Sequence, residues 1–323
     1  MVKKTILVTG GAGFIGSHVA KMLDSSGYHP VIFDNLSTGN KTSACYGSFF
    51  LGDLASLHDL KKVFEQFPIS AVIHFAAFID VGESVKEPAR YYINNVSNTL
   101  NLLETMRLFH VDKMIFSSSA AIFGLPVHIP IGVDHPCFPV NPYGETKLMV
   151  EKVLRSYSHA YGLHSCSLRY FNAAGSDPEG SLKHMKRKET HLIPKILQSM
   201  KQNQLLTIFG TDYPTKDGTC IRDYVHVDDL ARAHLLGLEQ LFKEAPSSAY
   251  NLGIGNGYSV REVIKAAEKV TGLPARVIEG PRREGDPAVL IADPKKAMEE
   301  LKWQPKYIDL ESMIRHAWQA ILL

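Results

Sequence analysis

The stretch Thr5-Ile6-Leu7-Val8-Thr9-Gly10-Gly11-Ala12-Gly13-Phe14-Ile15-Gly16 decides how the rest of the chain is read. Ile6, Leu7 and Val8 form a short apolar run of strand character, which breaks at the glycines before a helical pattern begins at Ser17. Gly10 permits the tight turn, Gly13 has no Cβ to hold a diphosphate away from the backbone, and Gly16 lets the helix pack close to the sheet. The helix start adds N–H groups and a partial positive charge that suit an anion. A βα turn that binds nothing can also use glycine. A dinucleotide is favoured by a second strand, Val31-Ile32-Phe33, which ends in Asp34 at about the twenty-residue distance expected of a ribose-binding carboxylate. A carboxylate there accepts hydrogen bonds from both ribose hydroxyls and repels a 2′-phosphate, so the expected cofactor is NAD and not NADP.

The chain has 323 residues, 45% of them hydrophobic, enough for two domains or for one domain with a large appendage. A net charge of +2 gives no strong field for nucleic acid, and the basic run 183–188 is expected to be a solvated loop. Cys45, Cys137, Cys166 and Cys220 lie far apart with no CxxC pair, so neither a zinc site nor a disulfide framework is expected. Reduced thiols point to a cytoplasm. The first strand begins almost at the N-terminus, and no apolar run approaches the roughly eighteen residues a bilayer span needs. Fourteen histidines show no HxH or HExxH spacing and are expected mostly at the surface or as satisfied core groups, with no metal.

After Asp34, the polar segment 35–44 reads as a loop before a strand at 48–51. Asp53 closes that strand, where Asp53-Leu54 could meet an adenine ring; Asp53 could equally cap a helix over 57–67. Residues 71–77 form a nearly continuous apolar strand of the kind buried on both faces of a parallel sheet. A long helix from about 88 to 110 and a strand at 113–117 complete another unit. Strands alternating with helices predict an α/β fold with a Rossmann-type doubly wound parallel sheet, whose ligands lie at the carboxyl ends of the strands. Ser117-Ser118-Ser119 falls at such an end. Tyr143 and Lys147 stand four apart at the start of the following helix, on one face. Such a pair is common on helix surfaces, and gains weight only beside the glycine turn and the serines.

At these residues the chain resembles the extended short-chain dehydrogenase/reductase family, and more closely its UDP-hexose 4-epimerases. The likeness runs through the glycine turn, Asp34-Asn35, Gly52-Asp53-Leu54, His74-Phe75-Ala76-Ala77, Asn94-Asn95-Val96, Ser117-Ser118-Ser119, Asn141-Pro142-Tyr143 through Lys147, and Arg169-Tyr170-Phe171-Asn172. It continues through 208–215, Arg222-Asp223-Tyr224-Val225-His226 and 281–286. The resemblance implies a catalytic set of Tyr143, Lys147 and Ser119. It implies cofactor contacts from Gly10, Gly13, Phe14, Ile15, Gly16, Asp34, Asn35, Asp53, Leu54, Phe75, Ala76, Ala77, Asn94, Ser117 and Tyr170, besides Tyr143 and Lys147. For the UDP-hexose it implies Ser119, Tyr143, Asn172, His191, Leu192, Phe209, Arg222, Arg283, Asp286 and Leu290. Residues 1–172 would hold NAD and a smaller mixed α/β part, 173–323, the nucleotide sugar, with a helix at 227–241 able to pack back on the first part. Helices around 91–108 and 143–161 look apolar over more than one stripe, and the resemblance implies that they pair in a homodimer.

The implied chemistry agrees with the residues. Oxidation at C4 removes the stereocentre, and hydride return to the other face resets it, so NAD is regenerated in each cycle. A tyrosine with pKa about 10 becomes a base at neutral pH only if about three units, roughly 4 kcal/mol, are supplied, here by Lys147 and the nicotinamide cation. Ser119 would hold the reacting oxygen in line. Ile79 stands where many epimerases have a lysine near the cofactor, and His191 where some have an asparagine. Leu290 stands at a position that is tyrosine in enzymes restricted to unacetylated sugars and small in those that admit N-acetylhexosamines. Dehydratases of the family carry an acid and base next to Ser119, where this chain has Ala120 and Ala121. The alternatives left are a UDP-N-acetylglucosamine or UDP-glucuronate 4-epimerase and, from another class, a catalytically silent NAD-sensing protein.

Overall fold

The computed structural model describes residues 3–182, 191–283 and 285–322, so the basic run 183–188 lies outside the described residues. Six strands succeed one another first: β1 (Thr5–Thr9), β2 (His29–Asp34), β3 (Ser48–Leu51), β4 (Ile69–His74), β5 (Lys113–Ser119) and β6 (His164–Tyr170). Then come β7 (Asn172–Ala174), β8 (Leu205–Phe209), β9 (Ile221–His226), β10 (Ser248–Leu252), β11 (Gly257–Ser259), β12 (Arg276–Gly280) and β13 (Val289–Leu290). A seven-stranded parallel sheet has the order β10-β6-β5-β4-β1-β2-β3. The chain thus winds outward from β1 in one direction and returns through β4 in the other. Ligands of such sheets enter at the reversal between β1 and β4.

Alternation along the strands explains the two layers that cover this sheet. Ile6, Val8, Ile73 and Ile115 face the side of the sheet on which α1 (Phe14–Ser25) lies, while Leu7, Val31, Val72, Met114 and Phe116 face the opposite side. That side is covered by α2 (Leu57–Gln66) and, beyond α3 (Val81–Lys86) and α4 (Pro88–Tyr92), by α5 (Asn98–Leu108) and α6 (Pro142–Tyr161). After α7 (Leu192–Lys201), α8 (Val227–Phe242) lies against α1, β5 and β6, although it comes from the second half of the sequence. A separate core joins α7, β8 and β9 to α9 (Val260–Thr271) and, past α10 (Lys295–Glu300), to α11 (Leu310–Leu322). In that part β9 is the hub, pairing with β7, β11 and β13. Among the described residues no helix is long and apolar enough to cross a membrane.

Three local readings need correction. The strand expected over 71–77 spans Ile69–His74; Phe75 still donates its N–H to Thr9 O at 2.9 Å, but the ladder has ended. Asp53 does not cap α2: Ser56 does, accepting from Asp59 N at 3.1 Å, while Asp53 accepts from Ala55 N within its own turn. The single helix expected from 88 to 110 is interrupted by a π-type stretch, Ile93–Ser97. The physical reason is Asn95, whose buried amide bonds both backbone groups of Phe78 and the Thr146 hydroxyl, at 2.9 to 3.1 Å. An extra residue in one turn lets it point there without ending the helix, a pattern frequent near functional sites.

Many histidines are core groups. Burial lowers His18 and His234 to about 4, and His74 and His226 to about 3. The unfolded chain takes up these protons near pH 6.5 and the folded chain does not, so their contribution is complete above about 6.5 and lost as the pH falls below it. Asp223, raised by burial to about 6, acts in the opposite sense, as do Asp34, Asp228 and Asp229, but the four histidines begin to take up protons in the unfolded chain at higher pH, near 6.5. The unfolding free energy obtained from urea titrations is therefore expected to fall between about pH 7 and about pH 5, by on the order of 1 kcal/mol or more per pH unit, and the midpoint with it. A midpoint that stays level or rises over that range contradicts this account.

Candidate active site

The glycine turn shows why no larger residue fits. Gly10 has φ +71°, and a Cβ there would stand 2.6 Å from Ala76 N. A Cβ on Gly16 would lie 2.5 Å from Gly10 O, whereas one on Gly13 would meet only Gly10 O, at 3.1 Å. Gly13 is the N-cap of α1 and has no side chain to cover the helix start, which Phe14 and Ile15 open. Asp34 accepts from Ala12 N at 3.0 Å and Leu36 N at 2.8 Å, which fixes its carboxylate beside the turn, and burial raises it above its usual range. Asn35 donates to Asp53 at 2.9 Å. Leu54 lies in the core under β3, its carbonyl held by Asn101 at 3.1 Å. Phe75, packed on the His234 ring at 4.8 Å, leads into Ala76 and Ala77 beside Gly10. Asn94 donates to Asn95 at 2.9 Å and so shares the support of the 75–80 segment. These groups follow the ends of β1, β2, β3 and β4 in order. A cradle that Cβ atoms would fill, with a carboxylate at its second strand, fits a dinucleotide.

The three expected catalytic residues meet at the end of β5. Asn141 caps α6, its side chain accepting from Gly144 N at 2.9 Å, which orients the first turn and with it Tyr143. The Tyr143 hydroxyl lies beside Ser119; burial raises its pKa, and the pull of the serine in the other direction only partly offsets this. Lys147 is buried and donates from Nζ to Ser117 O at 2.8 Å. Burial lowers it to about 7, opposed by the charge of Glu151. Its Nζ lies 5.9 Å from the Tyr143 ring centre. The Ser117 and Tyr170 hydroxyls are in short contact, which brings β6 into the site.

Sequence reading missed the groups behind this set. Glu151, one turn after Lys147, accepts from the Ser118 hydroxyl at 2.5 Å and pairs with Arg169 Nη2 at 2.7 Å. Only the helical spacing Tyr143, Lys147, Glu151 could have signalled it. Asp223 is fully buried and accepts from the N–H groups of Ile254, Gly255 and Ala292 at 2.9, 3.0 and 3.1 Å.

The expected substrate residues cluster on the β9 sheet. Asn172 opens β7 and donates to Asp223 O at 3.0 Å. Arg222 on β9 makes a short ion pair with Asp286 and stands in register with Leu290 of β13. Arg283 lies over the Phe209 ring, 4.3 Å from its centre. His191 is the N-cap residue of α7, and Leu192 packs on the second core. Leu290 packs on Ala120, Ile122, Phe123 and Ile131, so β13 of the second half meets the segment that follows Ser119.

Residues 6–253 match the model of the NAD dependent epimerase/dehydratase family. The UDP-glucose 4-epimerase of Halalkalibacterium halodurans is 50% identical over 314 residues, covering 97% of this chain and 94% of that protein. The crystal structure of UDP-glucose 4-epimerase from Brucella ovis in complex with NAD superposes with a TM-score of 0.95 at 47% identity, covering 98% and 97% of the two chains. The UDP-Glc/GlcNAc 4-epimerase of Campylobacter jejuni gives 0.85 at 43% identity, covering 99% of this chain and 100% of that one. With the glycine cradle, the serine-ended strand and the Tyr143–Lys147 helix in place, the chain belongs to the NAD-dependent epimerase/dehydratase family.

Proposed function

We propose that this protein interconverts UDP-glucose and UDP-galactose by inverting C4 of the hexose. The observation that carries the reading is the meeting of Ser119, Tyr143 and Lys147 at the end of β5, beside the glycine cradle. NAD, when bound there, supplies the acceptance of a hydride from C4 and its return to the other face. Tyr143 takes the C4 hydroxyl proton and gives it back after the face has changed. Ser119 bonds the same oxygen and keeps it in line with the phenol. A charged Lys147 favours the phenolate, and the carbonyl of Ser117 aims it. Ala120 and Ala121 have no proton to exchange, which disfavours loss of water from the sugar.

Residues 1–172 form the NAD-binding part in this reading and 173–323 the nucleotide-sugar part. Gly10, Gly13 and Gly16 receive the diphosphate of NAD, Asp34 its ribose, and Asp53 and Leu54 its adenine. Arg222, oriented by Asp286, and Arg283 grip the UDP diphosphate, and Phe209 carries the uracil. Asn172, His191 and Leu192 line the same groove. Free thiols at Cys45, Cys137, Cys166 and Cys220 suit a reducing cytoplasm.

Tyr143→Phe is expected to lower turnover by at least about 10²-fold while NAD stays bound, since the cradle is untouched. Near-normal epimerisation would remove Tyr143 as the base. Lys147→Ala should also collapse the rate and move the residual pH optimum upward.

A homodimer is part of the proposal. Ile93 and Leu100 on the α4–α5 stretch and Met149 on α6 are large apolar side chains exposed on the helices that cover one face of the sheet. Pairing about a two-fold axis would bury them in a four-helix bundle. Light scattering at micromolar protein should give twice the chain mass, and a monomer would contradict the assignment.

Leu290 bears on substrate breadth. Its packing on the cluster after Ser119 places a branched apolar side chain where a tyrosine would fill more space. UDP-galactose and UDP-glucose are then the main pair, with weak UDP-N-acetylglucosamine epimerisation; steric discrimination of this kind is worth about 1–3 kcal/mol. Leu290→Tyr should shift the ratio of kcat/KM further toward the unacetylated pair, and an unchanged ratio would place Leu290 outside the sugar pocket.

A further inference from the structure

Of three consecutive serines at the end of β5, two serve the site directly: Ser117 through its carbonyl on Lys147, and Ser119 through its hydroxyl on Tyr143. Ser118 lies between them, and strand alternation turns its side chain to the opposite face. Its hydroxyl donates to Glu151 Oε1 at 2.5 Å. Glu151 is gripped in turn by Arg169 of β6, with Nε to Oε1 at 3.0 Å and Nη2 to Oε2 at 2.7 Å. Arg169 Nη1 also donates to Val133 O at 2.9 Å. Glu151 and Arg169 are each only 7% exposed. A pair so deeply buried is a weak source of net stability, because desolvation offsets most of the attraction.

We propose that Glu151, locked between Ser118 and Arg169, is a positioning residue that sets the spacing of α6 against the end of β5 and so aims Tyr143 and Lys147; this rests on the reading of Tyr143 as the base. Three links cross the gap between α6 and β5: Tyr143 to Ser119, Lys147 to Ser117 and Glu151 to Ser118. The first two change character during proton transfer. The third lies outside the chemistry, and Arg169 ties it to β6, so it holds the spacing while the others change. Around Lys147 and Tyr143 the titratable groups are His74 of β4, Tyr170 and Arg169 of β6, and Glu151 of α6 itself. His74 is kept neutral by burial and the Tyr170 phenol is pushed up, so the Glu151–Arg169 pair supplies the nearby fixed charge.

The test uses the full chain with NAD bound and UDP-galactose as substrate. Ser118→Ala should lower kcat by about 10-fold, with KM changed less than about 2-fold, because contacts to the nucleotide sugar remain. The acid limb of its kcat profile should move upward by about half a pH unit, as Lys147 is less well aimed at the phenol. Glu151→Gln should lower kcat further, while its pH profile also feels the charge lost beside Lys147 and Arg169, so the pH readout is taken from Ser118→Ala, which decides alone if Glu151→Gln does not fold. A wild-type kcat and pH profile in Ser118→Ala, with only the melting temperature lowered, would show a purely structural role and overturn the inference. A wild type that does not epimerise removes the proposed function and this inference together, whereas an active wild type with indifferent variants removes this inference alone.

Discussion

A buried lysine bonded to a strand carbonyl holds the site together. Lys147 Nζ donates to Ser117 O at 2.8 Å inside a region with almost no water contact, so α6 and β5 cannot separate without stranding a cation. Everything the site does depends on that crossing. It places Tyr143 against Ser119, leaves β6 to approach through Tyr170, and keeps the lysine close to the pH at which its charge is adjustable. The cost of burying the cation is met by the carbonyl and by the Glu151 carboxylate one turn away.

The glycine turn imposes the second constraint, one of volume and not of charge. Gly10 sits so near Ala76 that β1 and β4 meet at the sheet's reversal point without side chains between them. The second half of the chain then closes over the opening. It adds β10 to the large sheet, lays α8 on its face, and brings Arg222, Asn172 and Leu290 together on strands β9, β7 and β13. Asp223 explains why that small sheet has a fixed register, because one carboxylate collects amides from the ends of two other segments.

What was legible in the sequence was local. The β1 turn and α1 follow from glycine spacing, β2 from an apolar run ending in Asp34, and the start of α6 from the segment that opens at Tyr143. Ser119, Tyr143 and Lys147 could be placed because a strand end and a four-residue helical spacing constrain side-chain direction strongly. The rest was hidden because it depends on residues far apart in sequence. Glu151 meets Ser118 across 33 residues and Asn95 meets Thr146 across 51, and neither pairing has a periodic signature. The π-type turn at Ile93–Ser97 has the same origin: helix propensity predicts continuity there, and a tertiary hydrogen bond overrides it. The capping alternative for Asp53 failed because Ser56 stands three residues later and makes the better cap.

The central claim is that a hydrogen leaves C4 and returns to the same carbon within a closed site, while Tyr143 moves only the hydroxyl proton. UDP-galactose carrying deuterium at C4, turned over in ordinary water, tests this most directly. The account predicts UDP-glucose that retains the deuterium at C4, together with a slower rate for the labelled substrate if the transfer limits turnover. Product whose C4 deuterium has been replaced by solvent hydrogen would contradict it.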